Sequence, residues 1–233
     1  VKGEIKKENL FTEVLGVVHR ENKHLKSSFF AAALPEERSF LRLIQIPAIK
    51  QEDVANAVRW EIENQVPLPP EDIIYDYEVI ESKNPSPEHL DVQITAFPRT
   101  IVDSYVSVFK KADMRLVALE LESQSVVRSC AVLDSPKAQI VLDIGRTRSS
   151  IAIFAGQAIV FTSTLDIGGI TFEEEIARRL TVSVEEAAAV KKKEGLNKTA
   201  AGGAVFEALS VPVAGLAQEL SRAVEYYRDH ASH

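Results

Sequence analysis

A mixed α/β fold, with strands and helices in groups rather than in strict strand–helix alternation, is what this chain predicts. Two observations carry that expectation. Apolar runs of strand length are closed by Pro, Gly or hydroxyl-rich turns, and longer segments repeat their apolar residues at helical spacing. A third is local: three strand-like runs follow one another closely between Gln139 and Leu165, and a helical pattern follows them.

The elements follow in order. Lys6 to Glu21 is amphipathic, with Leu10, Val14, Val17 and Val18 at helical spacing. Phe29 to Leu34 is a short apolar strand closed by Pro35, and Phe40 to Ile46 a second one ended by Pro47. Lys50 to Val66 is helical, with Val54, Ala57, Val58 and Ile62 on one stripe, Trp60 near its border, and Pro67-Leu-Pro-Pro70 as its stop. Ile73 to Ile80 and Leu90 to Phe97 read as a hairpin joined by the polar loop Ser82 to His89. Thr100 to Ala112 is the next helix, Met114 to Glu120 a strand, and Ser123 to Val132 a helix; Asp134-Ser-Pro136 is the clearest linker.

In the second half, Gln139 to Leu142 reads as a buried strand, Ile151 to Phe154 as another, and Ala155-Gly156-Gln157 as the turn into Ala158 to Leu165. Thr171-Phe-Glu-Glu174 has the spacing of a capping box, with a helix running to about Leu180. Ser183-Val-Glu-Glu186 repeats that spacing and starts a helix stopped by Gly195. Ala200 to Ala204 is a flexible small-residue stretch, and Pro212 to His230 a last amphipathic helix.

Between the first two of those second-half strands lies Asp143-Ile-Gly-Arg-Thr-Arg-Ser-Ser150. An acidic residue, a glycine and a hydroxyl-rich turn after a strand can offer backbone N–H groups and a carboxylate to a phosphate–metal pair. The alternative is a hairpin whose Asp and Gly merely shape the turn. The segment alone leaves both readings open.

Bulk properties narrow the classes. A chain of 233 residues holds one large domain or two smaller ones. The net charge of −7 argues against a broad basic surface for nucleic acid. A single cysteine, Cys130, excludes an internal disulfide; its apolar surroundings predict a buried thiol in a reducing, cytosolic compartment. No run approaches the roughly 18 apolar residues of a membrane span, and no signal peptide is visible. The chain opens on Val1 within a polar segment, which suggests a processed chain or a fragment.

The five histidines are scattered without zinc-ligand spacing. Neither a Walker-type phosphate loop, a Gly-x-Gly-x-x-Gly turn nor a Gly-x-Ser-x-Gly elbow occurs. Lys191-Lys-Lys193, late in a helix, is a solvated helix end or, alternatively, a nucleotide contact. Trp60, Tyr226 and Tyr227 fit core or interface positions better than ligand platforms.

Several segments in a fixed order resemble the PilM family of type IV pilus assembly proteins, actin-like ATP-binding proteins related to FtsA. They are Ala32-Ala-Leu-Pro35, Phe40 to Pro47, Ala57-Val-Arg-Trp-Glu-Ile-Glu-Asn-Gln-Val-Pro67, Asp76-Tyr77-Glu-Val, Thr95-Ala-Phe-Pro, and Leu119-Glu-Leu-Glu-Ser-Gln-Ser. Val141-Leu-Asp-Ile-Gly145, Asp166-Ile-Gly-Gly169, Glu174-Glu-Ile-Ala and Ala217 to Tyr227 complete the series.

The resemblance implies an actin-like (ribonuclease H-like) two-lobed fold with an inserted small α+β subdomain. Residues 1–36 and 114–136 would be the remnant of the first lobe, 37–113 the insert, and 137–233 a second lobe lacking its C-terminal part. It also implies ATP with magnesium as cofactor of the intact protein. Gly145, Arg146 and Thr147 would approach the phosphates, with Asp143 acting through magnesium-bound water. Gly168 and Gly169 would lie beside the nucleotide and Lys191 near the adenosine, although the acidic partner some relatives place three positions earlier is Ala188 here.

The function implied is a non-catalytic cytoplasmic scaffold, peripheral at the inner membrane through protein partners. It would dock the tail of a PilN-like membrane protein and meet other pilus components, without nucleic acid or direct membrane insertion; self-association is compatible with it. The alternatives are an ATPase or phosphotransferase of the actin and sugar-kinase superfamily, and an FtsA-like cell-division scaffold. A base for phosphoryl transfer is not visible, and no C-terminal amphipathic membrane helix is recognisable.

Family members begin with a further strand and an Asp-x-Gly phosphate turn, and continue past the Tyr226-Tyr227 helix into a Gly-Gly adenosine loop. Residues 1–233 carry neither, so they are expected to hold no nucleotide stably. Isothermal titration of the isolated chain with Mg-ATP should give weak or no binding; micromolar affinity would contradict the expectation.

Overall fold

In the computed structural model, residues 4–22, 27, 29–80, 88–132 and 135–230 are described. In chain order they form α1 (Glu8–Glu21), β1 (Phe29–Leu34), β2 (Phe40–Pro47), α2 (Gln51–Gln65), β3 (Ile73–Val79), β4 (His89–Pro98), α3 (Arg99–Lys111) and β5 (Arg115–Leu121). Then come α4 (Glu122–Cys130), β6 (Gln139–Ile144), β7 (Ser149–Ala155), β8 (Ala158–Leu165), α5 (Gly169–Leu180), α6 (Val184–Glu194) and α7 (Ala204–His230). Residues 82–87 of the expected joining loop and Asp134 of the expected linker lie outside the described residues. The chain divides into two compact units: Val1–Ala138 with Phe154–Val160, and Gln139–Ile153 with Phe161–His233. No described helix is long and apolar enough to cross a membrane.

The first unit is organised by a sheet in the order β2-β4-β3, antiparallel throughout. Alternation along β4 sends Val92 and Ile94 to one face, where Val54, Val58 and Ile62 of α2 meet them with Ile44, Ile46 and Ile73. These α2 residues recur every four positions, the spacing of one helical face. Trp60 is not part of that core; it is 64% exposed on the opposite side of α2. Gln93, on the other face of β4, is buried and its Nε2 donates to the Ile159 carbonyl at 2.9 Å.

Beside this sheet, β1 pairs with β5 in parallel, from Phe29 opposite Arg115 to Leu34 opposite Leu121. The buried Glu36 accepts a hydrogen bond from Ser123 N at 3.3 Å, placing a carboxylate at the start of α4. Cys130, expected as a buried thiol, is exposed, because it ends α4 beyond the last buried residue, Val127.

Helix α1 departs from its expected orientation. Leu10, Val14 and Val18 are exposed, and no α1 residue is fully buried. Its contacts run instead along Glu8, Thr12 and His19, one helical face. Glu8 accepts from Lys111 at 2.5 Å and from Ser107 at 3.2 Å, and the His19 ring lies 5.3 Å from that of Phe30. Amphipathic spacing located the helix but not the side that meets the rest of the unit.

β7 is the central strand of a second three-stranded sheet, β6-β7-β8. Gly156 and Gln157, at φ +57° and +75°, make the two-residue turn into β8 with both central residues left-handed. Ile151, Ala152 and Ile153 of β7 are buried. β6 forms, but it is not the buried strand expected. It is one of the two outer strands, and Ile140, Leu142 and Ile144 are exposed. In the second unit, α5, α6 and α7 enclose Ile176, Ala187, Val205, Ala208 and Leu209.

Helix α7 starts at Ala204, eight residues before the proline taken as its start, and carries Pro212 inside. The first two turns bury Val205, Ala208 and Leu209, and that packing outweighs the hydrogen bond a proline removes. Ala200–Gly203, expected to be irregular, is a short 3-10 turn.

Candidate functional site

The Asp143 segment and the start of α5 form one local structure in the second unit. After β6, the Gly145 N–H donates to the Arg148 carbonyl at 2.9 Å, closing the turn. The turn's carbonyls then receive the helix: Gly169 N donates to Gly145 O at 2.9 Å and Ile170 N to Arg146 O at 2.8 Å. Ser149 Oγ donates to Ile167 O at 2.6 Å, fixing the start of β7 to the chain entering α5.

Glycine is required for this closeness. A Cβ on Gly168 would stand 2.5 Å from Arg148 N and from the carbonyl carbon of Thr147, both backbone atoms. On Gly145 it would stand 2.9 Å from Arg148 O. Gly169 is less confined; its nearest neighbour would be the Lys191 ammonium at 3.4 Å, the mobile end of a side chain.

The helix start is arranged differently from the capping box expected of Thr171 and Glu174. The helix begins three residues earlier, at Gly169, with Gly168 rather than Thr171 as N-cap. Thr171 is therefore in the first turn, and its Oγ1 accepts from Gly168 N at 3.2 Å. The amides of Gly168, Gly169 and Ile170 are thus engaged within the protein, to Thr171 and to the turn. These glycines serve the site by their small size rather than by donating N–H groups. The second box forms as expected: Glu186 N donates to Ser183 Oγ at 3.2 Å and Ser183 N to Glu186 Oε2 at 3.0 Å.

Of the residues named from the sequence, Gly145, Arg146, Gly168, Gly169 and Lys191 come together here. Asp143, near the end of β6, and Arg146 and Thr147, on the turn, are exposed. Lys191 reaches back from α6 to α5, donating to Gly169 O at 3.1 Å and to Glu173 Oε1 at 2.6 Å. Lys192 and Lys193 are the solvated helix end; Lys191 is not.

Glu173 is the residue the sequence reading passed over. It is buried in the first half of α5, with Lys191 on one oxygen and Arg146 Nη1 at 3.9 Å from the other. The Lys191 hydrogen bond holds its carboxyl below the usual carboxylate value, against the opposing effect of burial; the charges of Lys191, Arg146 and Lys192 act in the same direction as the bond. A signal was present in the sequence: Glu173 lies three residues before the buried Ile176, a charge on the apolar face of its helix. Among the described residues no group of three His, Cys, Asp or Glu side chains forms a metal cluster. An exposed carboxylate, guanidinium and hydroxyl on one turn fit a ligand that combines an anion with a hydrated cation.

A three-stranded sheet, a glycine-built turn after its first strand and a helix entered directly against that turn belong to a fold of the actin-like α/β class. The sequence model of the type IV pilus assembly protein PilM family matches residues 1–233, and the chain belongs to that family. A solved PilM–PilN type IV pilus biogenesis complex is similar at TM-score 0.81 and 22% identity, over 99% of this chain and 67% of the matched one. The ethanolamine utilization protein EutJ of Carboxydothermus hydrogenoformans gives TM-score 0.57 at 15% identity, over 97% of this chain and 60% of the other. MreB5 of Spiroplasma citri bound to ADP gives 0.58 at 14%, with the same coverages. The family and the actin-like fold expected from the sequence are both borne out.

The glycine geometry ranks three substitutions by unfolding measurements. Gly168→Ala forces backbone apart and should cost about 1–3 kcal/mol, Gly145→Ala less, and Gly169→Ala the least, because Lys191 can yield. A neutral Gly168→Ala variant would contradict the close approach.

Proposed function

We propose that this protein is a non-catalytic scaffold of type IV pilus assembly. It docks the cytoplasmic tail of a PilN-like inner-membrane protein, and nucleotide bound by the intact protein tunes that docking. The observation that carries the reading is the PilM family match along the whole chain. The likeness to the PilM–PilN complex supports the choice of partner, and the fold shared with MreB5, whose structure holds ADP, supports the nucleotide. In this reading the protein works in the cytoplasm and reaches the inner membrane through its partners.

The same reading takes residues 37–113 as an inserted α+β subdomain, 1–36 with 114–136 as part of one lobe, and 137–233 as part of the other. For the nucleotide, Arg146 and Thr147 face the phosphates and Gly145 sets their backbone. Gly168 and Gly169 admit the ligand beside the helix start, and Lys191 stands on its adenosine side. Asp143 would hold a magnesium ion through water, and the ion would neutralise polyphosphate charge. β2 and β3 are the outer strands of the first unit's sheet, and an extended tail can add to such a strand through main-chain hydrogen bonds.

The test is a pull-down of the full-length protein by a peptide carrying the N-terminal cytoplasmic tail of its PilN-type partner. Specific retention, altered by Mg-ATP, is expected. Absence of retention by the folded full-length protein, with and without nucleotide, would contradict the reading.

A further inference from the structure

Glu173 occupies a position where helical periodicity calls for an apolar side chain, and a buried carboxylate is costly unless paired. One lysine would satisfy it. The structure supplies two cations within ion-pair distance, with different holds. Lys191, on Glu173 Oε1 at 2.6 Å, is also fixed by the Gly169 carbonyl at 3.1 Å, and its side chain is 24% exposed. Arg146 stands 3.9 Å from Glu173 Oε2, too far for a hydrogen bond, and its side chain is 73% exposed. The loosely held cation belongs to the turn that carries Asp143 and Thr147.

The geometry points to Glu173 as a positioning residue of the nucleotide site. It fastens Lys191 to the start of α5 and leaves Arg146 exposed on the turn, and its negative charge lowers the net positive charge of this corner by one unit. This rests on the nucleotide reading above and adds a consequence for selectivity. Inorganic triphosphate carries one more ionisable oxygen than ATP, whose α-phosphate is esterified, so the Glu173 carboxylate repels it more strongly than it repels ATP.

The experiment measures ATP and inorganic triphosphate affinities of the full-length protein at low salt, for wild type and Glu173→Gln, with a thermal unfolding curve for each. The variant should gain about fivefold for triphosphate, the effect of one unit charge on a nearby polyanion in a solvent-screened site. Its ratio of ATP to triphosphate affinity should fall, and its salt dependence should steepen. Glu173→Asp should keep the wild-type ratio. A merely structural carboxylate would lower stability and leave the ratio unchanged, which would overturn the inference while wild-type ATP binding still upheld the nucleotide reading. Should wild type bind neither ligand, the nucleotide reading itself falls, and the inference with it. Lys191→Met covers the case in which Glu173→Gln does not fold. With Glu173 then facing Arg146 alone, triphosphate affinity should drop about fivefold, and an unchanged value would overturn the proposal.

Discussion

The second unit depends on the side chain that Gly168 lacks. Backbone atoms of Thr147 and Arg148 fill the space a Cβ would need. Only because they can do so do the Gly145 and Arg146 carbonyls receive the first amides of α5. That exchange satisfies donors which a helix start otherwise leaves without partners, and it does so with another piece of the same site. The turn is therefore held by the helix rather than left as a free loop. Arg146 consequently stands within reach of Glu173, and Lys191 closes the assembly from α6.

This arrangement separates two roles that a glycine-rich sequence tends to merge. Glycines near a helix start suggest amides offered to an anion. Here Gly168 and Gly169 have spent theirs on Thr171 and Gly145. What remains outward around the turn is the Asp143 carboxylate, the Arg146 guanidinium and the Thr147 hydroxyl. Local charge is then set by which cation Glu173 holds most tightly.

Where local chemistry decides, the sequence was legible. Ser183 and Glu186 cap α6 because both partners lie within one turn, and Val54, Val58 and Ile62 mark the face of α2 because their spacing is the helix's own. Where a distant element decides, it was not. The apolar stripe of α1 predicted burial, but the helix is attached through Glu8 and His19. β6 reads as a core strand, yet it lies at the outside of its sheet. Pro212 looked like a helix start until packing of Val205 and Leu209 extended α7 ahead of it. At the site, the glycines and Arg146 were legible as a motif. Glu173 was not, because its importance arises from Lys191, eighteen residues away on another helix. The family itself came from the order of modest segments along the chain, a property of the whole sequence.

The most direct measurement is hydrogen–deuterium exchange of the full-length protein with and without Mg-ATP. The account predicts nucleotide-dependent protection concentrated at residues 143–148 and around Lys191. The amides of Gly169 and Ile170, already bonded to the turn, should change little. Full nucleotide occupancy with no change at 143–148 would show that the ligand binds elsewhere and would contradict the assignment of this turn.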